Sequence, residues 1–343
     1  MLPIVSIIVL NYNGKKFLKD CFDTLLSCTY PKLELIMVDN SSTDDSVALI
    51  SENYKQVKII QTGSNSGYSK AYNISFKQAK GKYFVLLNND VKVEPQWIEP
   101  LVNAAENDEN IGALQPKLVS LIDKGYFEYA GSSGGFMDKY GFPFLRGRVV
   151  NTIEKDYGQY DDEAEVFWTS GAAMFVRAEA LNKSGVLDED FVHHMEEIDL
   201  CWRLHLAGYK LKVVPSSKIH HYAGATIKQD SFMKMYWNHR NSVFMLIKNL
   251  EWHNLIRVLF VRSIIDVLAV LFTLVKMNLV HMSAIIAAYG WLILNIRLVL
   301  RKRKAIQKRR SVPDKQILPK LYPKSLVFQY FLKKKRTYKD LVL

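Results

Sequence analysis

The first third of the chain alternates short apolar runs with stretches of helical periodicity. The apolar runs are five to seven residues long and rich in Val, Ile and Leu, as buried strands are. Single helix-like segments separate them, which predicts βαβ units in an α/β fold whose mostly parallel sheet is covered on both faces. The predicted strands span residues 4–10, 33–38, 57–61, 83–87 and 111–115.

The segments between these strands have the spacing of amphipathic helices. In the first of them Phe17, Cys21 and Leu25 recur at i, i+4 and i+8, and Tyr30-Pro31 is the expected stop. The later helices are expected after Thr43-Asp44, over 68–79 and after Pro95.

The middle of the chain has a weaker pattern. Residues 116–165 are rich in Gly and aromatic residues without a clear period, which indicates a long surface insertion suited to specificity. Regular patterns resume with a strand over 168–176, a helix over 196–207 that ends at Gly208, and a strand over 210–214.

Two apolar stretches in the last third raise the question of a membrane. Residues 255–275 are strongly apolar but include Arg257, Arg262 and Asp266, whereas 277–296 carry no formal charge over the length that crosses a bilayer. A hairpin with both ends inside the cell satisfies the positive-inside rule. The alternatives are a re-entrant or interfacial pair on the anionic leaflet and the helical hairpin of a soluble protein.

Composition and charge narrow the class of protein. With 343 residues, of which 49% are apolar, the chain can bury a sizeable core, and its three cysteines form no paired framework. The net charge is +12, but residues 301–343 alone carry +13, so the body has no basic stripe and a nucleic-acid groove is not expected. The apolar start, residues 1–10, is predicted to be a strand rather than a signal peptide, which would keep this part in the cytoplasm.

Polar side chains follow the first four predicted strands at the point where each strand ends. They are Asn11, Asp39-Asn40, the loop 63–67 and Asn88-Asn89-Asp90. Because the carboxyl ends of parallel strands gather at one rim, four such loops predict a binding site rather than four ordinary turns. The carboxylate of Asp90 suits a hard cation shared with a substrate phosphate.

These stretches resemble the nucleotide-sugar signature of family 2 glycosyltransferases, which have the GT-A fold. The resemblance lies in residues 36–44 (IMVDNSSTD), 65–73 (NSGYSKAYN) and 86–91 (LLNNDV). Residues 195–210 (MEEIDLCWRLHLAGYK) and 219–226 (IHHYAGAT) resemble the acceptor half of the same family. The Asn-Asn-Asp form and residues 236–241 (YWNHRN) look most like rhamnosyltransferase-type members.

The resemblance implies a nucleotide-sugar site at the predicted rim. Asp39 would accept from the ring N–H of a uracil or thymine, although a turn or N-cap residue is the alternative for it. Gly67 would let the backbone approach the nucleotide, and Asn73 would contact the sugar or the preceding loop. Asn11 and Asp44 would help to define the base pocket, and the remaining residues implied for this site are Asn40, Asn88 and Asn89.

Residues 88–90 occupy the place of the family's Asp-x-Asp metal motif, with a weaker, uncharged amide at its first position. By resemblance, Asp90 would bind Mg²⁺ or Mn²⁺ directly, and Asn88 would touch the ribose or the water shell of the metal. His221 is the further ligand implied, because the family's metal histidine is followed five residues later by Ser or Thr, here Thr226. His220 competes for this role, and either could be an ordinary buried histidine.

The resemblance also implies a general base on the helix predicted over 196–207. Inverting transfer needs a carboxylate that takes the proton of the acceptor hydroxyl, and Glu197 matches that position. Glu196 and Asp199 are the alternatives. Acidic residues are favoured at any helix N-terminus, and the spacing of Asp199 and Arg203 suits an i, i+4 ion pair.

Together these features predict a non-processive, inverting glycosyltransferase in cell-surface polysaccharide synthesis. It would move rhamnose or another hexose from a dTDP- or UDP-linked donor to a hydroxyl of a glycan, with a lipid-linked oligosaccharide as the expected acceptor, at the cytoplasmic face of the cell membrane. Processive members of the family carry a Gln-x-x-Arg-Trp motif, which this sequence lacks. A nucleotide-sugar-binding protein without turnover and a nucleotidyltransferase are the alternatives.

The same interpretation divides the chain into four expected parts. Residues 1–115 would form the nucleotide-sugar-binding half of one GT-A domain, and residues 116–245 its acceptor-binding and catalytic half. Residues 246–300 would form an apolar helical hairpin associated with the membrane, and residues 301–343 a basic cytoplasmic tail.

Overall fold

The structure is a computed structural model that describes residues 1–222 and 231–342. Its strands are β1 (Val5–Asn11), β2 (Leu33–Asp39), β3 (Lys58–Gln61), β4 (Tyr83–Asn88), β5 (Val91–Val93), β6 (Ile111–Ser120), β7 (Gly135–Met137), β8 (Pro143–Leu145), β9 (Arg148–Val149), β10 (Thr152–Ile153), β11 (Ala164–Glu165), β12 (Ala173–Arg177) and β13 (Lys210–His221).

Helices connect and flank these strands. They are α1 (Lys15–Leu26), α2 (Ser46–Asn53), α3 (Gly67–Phe76), α4 (Ile98–Asn107), α5 (Ala178–Ser184), α6 (Glu196–Leu206), α7 (Phe232–Asn249), α8 (Trp252–Val275), α9 (Leu279–Leu294), α10 (Ile296–Arg309), α11 (Asp314–Ile317) and α12 (Tyr338–Val342). A short 3₁₀ helix (Leu318–Lys320) and a π-helical turn (Phe328–Leu332) follow α11.

A nine-stranded mixed sheet organises the fold. Its order is β11-β13-β6-β12-β4-β1-β2-β3, with β5 paired to β13. Strands β1, β2, β3 and β4 are parallel, as predicted, whereas β12 runs antiparallel to both β4 and β6. The register sets Asn11 beside Asp39, and Leu10 beside Asn88, so the carboxyl ends of β1, β2 and β4 share one rim.

Apolar side chains cover both faces of this sheet. In β1, Ile8 packs with Ile36 on one face, while Ile7 and Val9 pack with Met37 on the other. All five side chains are fully buried. Burial on both faces confirms the α/β sheet that the continuous apolar runs predicted.

Several predicted boundaries are wrong. Helix α1 ends at Leu26 rather than Tyr30, and α3 ends at Phe76 rather than Ala79. Strand β12 begins only at Ala173, because residues 168–172 belong to a turn-containing segment. Strand β13 continues beyond 214 to His221, and a break in register between Val214 and Lys218 lets the longer strand keep pairing with β6.

The prediction that residues 116–165 form a surface insertion is also wrong. This region forms a second sheet of order β10-β9-β8-β7, whose strands are only two or three residues long. Many of its apolar side chains are buried, among them Phe144 and Val149, which pack with Leu326, Tyr330 and Leu341 from the end of the chain. The basic C-terminal residues are therefore tied to the middle of the protein by an apolar cluster.

Helices α8 to α10 lie against the body of the protein. Within the described ranges, α8 is long and apolar enough to cross a membrane, and α9 with α10 passes the same test only as a pair bent by 73°. Two of the three charges within α8 point inwards: Arg262 donates to Asp266 at 2.9 Å and to the carbonyl of Tyr140 at 2.9 Å, and both side chains are buried, whereas Arg257 is exposed. The outward side of α8 is apolar, with Phe260 70% and Phe272 63% exposed.

Candidate active site

The first two loops of the rim meet through Asn11 and Asp39. The Asn11 amide donates to Asp39 Oδ1 at 3.2 Å and to Ser42 Oγ at 3.1 Å. Asp39 Oδ2 accepts from the backbone N–H of Ser42 at 3.0 Å. Asp39 is only 2% exposed, so its carboxylate is oriented by these bonds at the end of β2.

The second and third loops are joined through Asn40. Its amide donates to Asn65 Oδ1 at 3.0 Å, and its Oδ1 accepts from the backbone N–H of Ser66 at 2.9 Å. Gly67 follows with a φ of +77°, and an added Cβ would meet only the carbonyl of Val192 at 3.8 Å. Glycine suits this position because of its left-handed backbone, which starts α3, and not for lack of space.

Asp44 and Asn73 each bond to neighbouring segments of the chain. Asp44 accepts from the backbone N–H of Lys15 at 3.0 Å and of Ser46 at 3.1 Å, and so holds the starts of α1 and α2 together. The Asn73 amide donates to the carbonyl of Leu187 at 2.9 Å and to Glu189 Oε1 at 3.0 Å. The roles of Asp44 in a base pocket and of Asn73 at the sugar or the preceding loop stay predictions.

The fourth loop meets the end of β13. His221 pairs with Val91 in the antiparallel β5–β13 register, and its Nε2 lies 3.0 Å from Asp90 Oδ1. Both side chains are buried, and the Asn88 amide lies 3.3 Å from the same imidazole nitrogen. The neighbouring Asn89 donates to Asn11 Oδ1 at 2.7 Å, which ties the fourth loop to the first.

Of the two histidines predicted to compete, His221 is the one beside Asp90. His220 points to the other side of β13, where its Nε2 lies 3.5 Å from Glu94 and its side chain is 37% exposed. Alternation of side chains along a strand explains this separation. Thr226, on which the family comparison of this histidine depends, lies outside the described residues.

Glu128 also contacts this site, through His221, and the sequence did not predict it. Its Oε1 lies 3.2 Å from His221 Nδ1, and its side chain is fully buried. Burial alone would lower the pKa of His221, but the carboxylates of Glu128 and Asp90 outweigh it and raise this pKa to about 10. Glu128 lies in the region without periodicity, so no signal in the sequence pointed to it.

The Asp90 and His221 side chains fit a divalent cation only in part. Within residues 1–222 and 231–342, no group of three or more His, Cys, Asp or Glu side chains is placed to hold a metal ion. Asp90 and His221 Nε2 offer two ligands, and Glu128 backs the second imidazole nitrogen, as carboxylates do behind metal-binding histidines. Substrate phosphate and water supply the remaining ligands in many Mg²⁺ sites, so two protein ligands are compatible with a metal–diphosphate pair.

Two carboxyl groups open α6. Burial raises the pKa of Glu197 to about 7, and burial together with the neighbouring Glu197 raises the pKa of Glu196 well above its ordinary value. Two perturbed carboxyl groups in a cleft are a frequent mark of acid–base chemistry. Glu196 is 7% exposed and Glu197 somewhat more.

The segment 170–173 links these carboxyl groups to the metal-motif loop. The carbonyl of Ala172 accepts from the backbone N–H of Asn88 at 3.0 Å, and a Cβ on Gly171 would lie 3.6 Å from Glu197 Cβ. The Tyr68 hydroxyl donates to the carbonyl of Gly171 at 2.9 Å, which attaches the start of α3 to the same segment. Asn88, Tyr68 and Glu197 therefore surround one short stretch of backbone.

Asp199 takes the structural role that its spacing allowed. Its Oδ2 accepts from Arg203 Nε at 2.8 Å and Lys248 Nζ at 3.1 Å, while its Oδ1 accepts from the Asn249 amide at 3.0 Å. It is fully buried. The predicted i, i+4 ion pair is confirmed, and these bonds engage both carboxylate oxygens.

An open cleft of about 370 Å³ lies between the third loop and the chain that leads into α6. The third loop contributes residues 65–70, and the other wall includes Glu189 and residues 191–193. Trp237 of α7 closes one side and packs on His193 with ring centroids 4.9 Å apart. The third loop with the start of α3, the segment that leads into α6 and an aromatic side chain of α7 thus face one space.

Comparison with known proteins places this geometry in context. A family model described as "Glycosyl transferase family 2" matches residues 6–178. An N-acetylglucosaminyl-diphospho-decaprenol L-rhamnosyltransferase of Mycobacterium tuberculosis is 25% identical over 269 residues, which cover 74% of this chain and 87% of that protein. The O-antigen biosynthesis protein RfbC of Myxococcus xanthus is 28% identical over 240 residues, 68% of this chain and 18% of its own.

Solved structures with the same fold share little sequence with this chain. GalNAc-T7, solved with UDP, GalNAc and Mn²⁺, has a TM-score of 0.57 at 17% identity, over 71% of this chain and 48% of its own. The mannosyltransferase PcManGT of Pyrobaculum calidifontis, solved with GDP-Man and Mn²⁺, has a TM-score of 0.51 at 16% identity, over 90% of this chain and 84% of its own. These transferases confirm the GT-A fold that the sequence resemblance implied.

Proposed function

Because the chain belongs to glycosyl transferase family 2, we propose that it transfers one hexose with inversion from a nucleoside-diphosphate donor to a hydroxyl of a glycan. The observation that carries this proposal is the position of the segment 170–173, which accepts a hydrogen bond from the Asn88 backbone and passes next to Glu197. A donor diphosphate beside Asp90 and a proton acceptor at Glu197 would then lie on two sides of one reaction centre. Such an arrangement suits displacement at an anomeric carbon between them.

In the proposed reaction, the acceptor oxygen forms a bond to the anomeric carbon while the bond from that carbon to the diphosphate oxygen breaks. Glu197 takes the proton of the acceptor hydroxyl, and the nucleoside diphosphate leaves with the bonding electrons. A carboxyl group with a pKa of about 7 is matched to this task, because a substantial fraction is ionised at neutral pH and the ionised form is basic enough to accept a proton. Glu196 is the alternative base on the same helix turn.

The donor is proposed to bind along the rim, with its base near Asn11 and Asp39. The M. tuberculosis relative is named as an L-rhamnosyltransferase, which makes dTDP-rhamnose the first donor to test. UDP-linked hexoses are the second choice, since the structural neighbour GalNAc-T7 was solved with UDP. Transfer of a single sugar is proposed because the sequence lacks the Gln-x-x-Arg-Trp motif.

A divalent cation, Mg²⁺ or Mn²⁺, is proposed as cofactor. Two structural neighbours were solved with Mn²⁺, and here Asp90 and His221 would hold the ion. The metal would offset the charge that builds on the departing diphosphate. Glu128 would keep the His221 ring oriented for this contact.

A membrane-bound, lipid-linked glycan is proposed as the acceptor, at the cytoplasmic face of the cell membrane. The M. tuberculosis relative acts, by its name, on a decaprenol-linked sugar. The outward side of α8 and α9 exposes large apolar residues, and α10 adds exposed cations at Arg297, Arg301 and Lys304. An apolar strip next to basic residues is the composition that interfacial helices use on anionic lipid.

The decisive experiment uses the purified protein with Mn²⁺, a panel of nucleotide sugars and N-acetylglucosaminyl-diphospho-decaprenol, the acceptor that the name of the M. tuberculosis relative gives. Formation of a glycoside with release of nucleoside diphosphate is expected. Asp90→Ala and Glu197→Gln should each lower turnover by at least about 100-fold, since each removes metal or base assistance. Donor binding without product would instead indicate a sensor protein, and release of pyrophosphate would indicate a nucleotidyltransferase.

A further inference from the structure

The chain enters α6 through an unusual backbone. His194 has a φ of 67° and Met195 a φ of 70°, so two consecutive residues with side chains occupy the left-handed region. Side chains disfavour this region because Cβ approaches the backbone carbonyl, and the conformation persists only where surrounding structure holds it. Glu196 and Glu197 follow directly, so this strained pair determines where the two carboxyl groups begin.

Asn241 of α7 makes the contacts that hold this backbone. Its amide donates to the carbonyl of His193 at 2.8 Å and to the carbonyl of His194 at 2.8 Å. The Asn241 side chain is fully buried. Both N–H groups of one amide are thus used on two successive carbonyls, which restricts both peptide planes.

Arg240 fixes the Asn241 amide in turn. Arg240 Nε donates to Asn241 Oδ1 at 2.7 Å, so the oxygen and nitrogen of the amide have distinct partners. Arg240 also donates to the carbonyl of Asp190 at 2.6 Å, and it is only 5% exposed. Two adjacent residues of α7 therefore hold three carbonyls of the segment 190–194.

The Glu197 carboxyl group depends on this segment through the start of α6. Backbone N–H groups of Glu197 and Ile198 stabilise its charged form and partly offset the effect of burial on its pKa. These N–H groups belong to the first turn of the helix, and their direction follows that of residues 194 and 195. A shift of the segment would therefore move the carboxyl group relative to the donor.

We propose that Asn241, oriented by Arg240, is a positioning residue that sets the geometry of the Glu196-Glu197 carboxyl pair for proton transfer. This inference rests on the proposed function, because it assigns the base to that pair. Asn241 touches neither carboxyl group in the contacts described above. It acts through the backbone of His193 and His194.

The test compares Asn241→Ala with Ser242→Ala in the assay described above, using whichever nucleotide sugar turns over. Ser242 is the matched control, because it is equally buried on α7 and bonds elsewhere, to the carbonyl of Gly141 at 3.0 Å and to Arg262 at 2.7 Å. We expect Asn241→Ala to lower kcat by about 10- to 100-fold with donor KM changed less than about twofold, as misplacement of a catalytic group does. Ser242→Ala should keep kcat within about threefold of the wild type, although it also costs a buried hydrogen bond.

A second substitution tests whether the backbone geometry at residue 194 causes the expected loss of kcat in Asn241→Ala. Glycine occupies the left-handed region without strain, so His194→Gly added to Asn241→Ala should recover kcat by about threefold or more. If Asn241→Ala does not fold, Arg240→Lys replaces it, because lysine keeps the charge but loses the fork that reaches both acceptors. Arg240→Lys should lower kcat by about threefold or more at unchanged donor KM.

The proposal is overturned if folded Asn241→Ala keeps kcat within twofold of Ser242→Ala, if His194→Gly restores nothing, or if Arg240→Lys, used in its place, leaves kcat unchanged. Glu197→Gln in the same assay separates this failure from failure of the proposed function. Lost turnover in Glu197→Gln beside an unaffected Asn241→Ala would refute the positioning role alone. Full turnover in both Glu197→Gln and Glu196→Gln would refute the base assignment itself.

Discussion

Two carboxyl groups of α6, only two residues apart, have opposite surroundings. Asp199 is fully buried and accepts hydrogen bonds from Arg203, Lys248 and Asn249. Glu197 is partly buried without a comparable set of cationic partners among its described contacts, and this desolvation raises its pKa to about 7. Such a difference in surroundings between two neighbouring carboxyl groups often distinguishes a catalytic group from a structural one.

The raised pKa of Glu197 predicts how turnover depends on pH. A general base must be ionised before it can accept a proton, so kcat/KM should fall about tenfold for each pH unit below about 7. A pH profile of initial rates for the wild-type protein measures this limb. A limb near pH 4.5, the ordinary value for Glu, would contradict the assignment of Glu197.

The same pKa predicts that Glu197→Gln stabilises the protein while removing turnover. A group whose pKa is higher in the folded state than in the unfolded state favours folding when protonated, and this contribution is lost as the pH rises through the folded pKa. Between pH 4.5 and 7 the free energy of unfolding of the wild type should therefore fall relative to Glu197→Gln. By pH 8 the variant should be more stable by about 1–3 kcal/mol.

Urea unfolding at pH 5 and pH 8 measures this difference, and Lys70→Gln, a change at an exposed position of α3, serves as the control. Equal stability of wild type and Glu197→Gln at pH 8 would mean that Glu197 is not held in a desolvated environment.

The contact between Glu128 and His221 predicts that substitution of Glu128 changes the affinity for the metal. Its carboxylate lies 3.2 Å from the nitrogen of His221 that faces away from Asp90. Removing such a partner typically weakens metal binding 10- to 100-fold, so Glu128→Gln should raise the Mn²⁺ dissociation constant, measured with nucleoside diphosphate present, by about that factor. Glu94→Gln is the matched control, because Glu94 lies beside the other histidine, His220, on the opposite side of β13. Equal Mn²⁺ affinity in both variants would contradict the role of Glu128.

At the scale of elements, the strands that form the rim were predictable and the second sheet was not. Strands β1, β2 and β4 are mostly apolar runs, so their pattern alone predicts both their position and their burial on two faces. Strands β9 and β10 are two residues long, and their region packs against residues distant in sequence, such as Leu326 and Tyr330. No local periodicity in the sequence can predict such strands. Glu128 was missed for the same reason, since only the pairing of distant segments brings it to His221.

The candidate site shows the same division. Asn11, Asp39, Asn88 and Asp90 follow strands directly and meet because parallel strands end at one rim. Asn73 and Asp44, by contrast, lie on or before helices, where direction depends on how the helix is rotated against its neighbours. Their hydrogen bonds to Leu187 and Lys15 are consequences of packing that the sequence does not specify locally.

The buried ion pair of α8 is expected to contribute to the stability of the protein. Arg262 and Asp266 are 1% and 2% exposed, and Arg262 also bonds to Ser242 and to the carbonyl of Tyr140. Arg262→Ala leaves Asp266 buried without this cation, which should lower the free energy of unfolding by about 3–5 kcal/mol. Arg257→Ala, on the exposed side of the same helix, should change it by less than about 0.5 kcal/mol. Urea unfolding monitored by circular dichroism compares them, and similar values would show that the inward charges do not anchor α8.

At the scale of the whole molecule, the inward direction of Arg262 and Asp266 bears on how the protein would bind the proposed membrane surface. If α8 left the body to span a bilayer, Arg262 and Asp266 would enter lipid, at about 2.5–3.5 kcal/mol each near the bilayer centre on the insertion scale. In the described structure both stay inside the protein, and the lipid-facing candidates Phe260, Leu268 and Phe272 are the exposed ones. This packing favours helices that lie on the membrane over helices that cross it.

Helices α8 and α9 lying on a membrane would predict how the protein binds to lipid vesicles. It should float with vesicles that contain phosphatidylglycerol and less with phosphatidylcholine alone, because the exposed cations of α10 add attraction of about 1 kcal/mol each near an anionic surface. Phe260→Glu with Phe272→Glu should abolish flotation, whereas Ile122→Glu with Tyr157→Glu, which are exposed on the acceptor half, should not. Alkaline carbonate should release the wild type from vesicles if α8 and α9 lie at the interface. Resistance to carbonate would show that the hairpin spans the bilayer, and then the buried contacts of Arg262 would have to open on insertion.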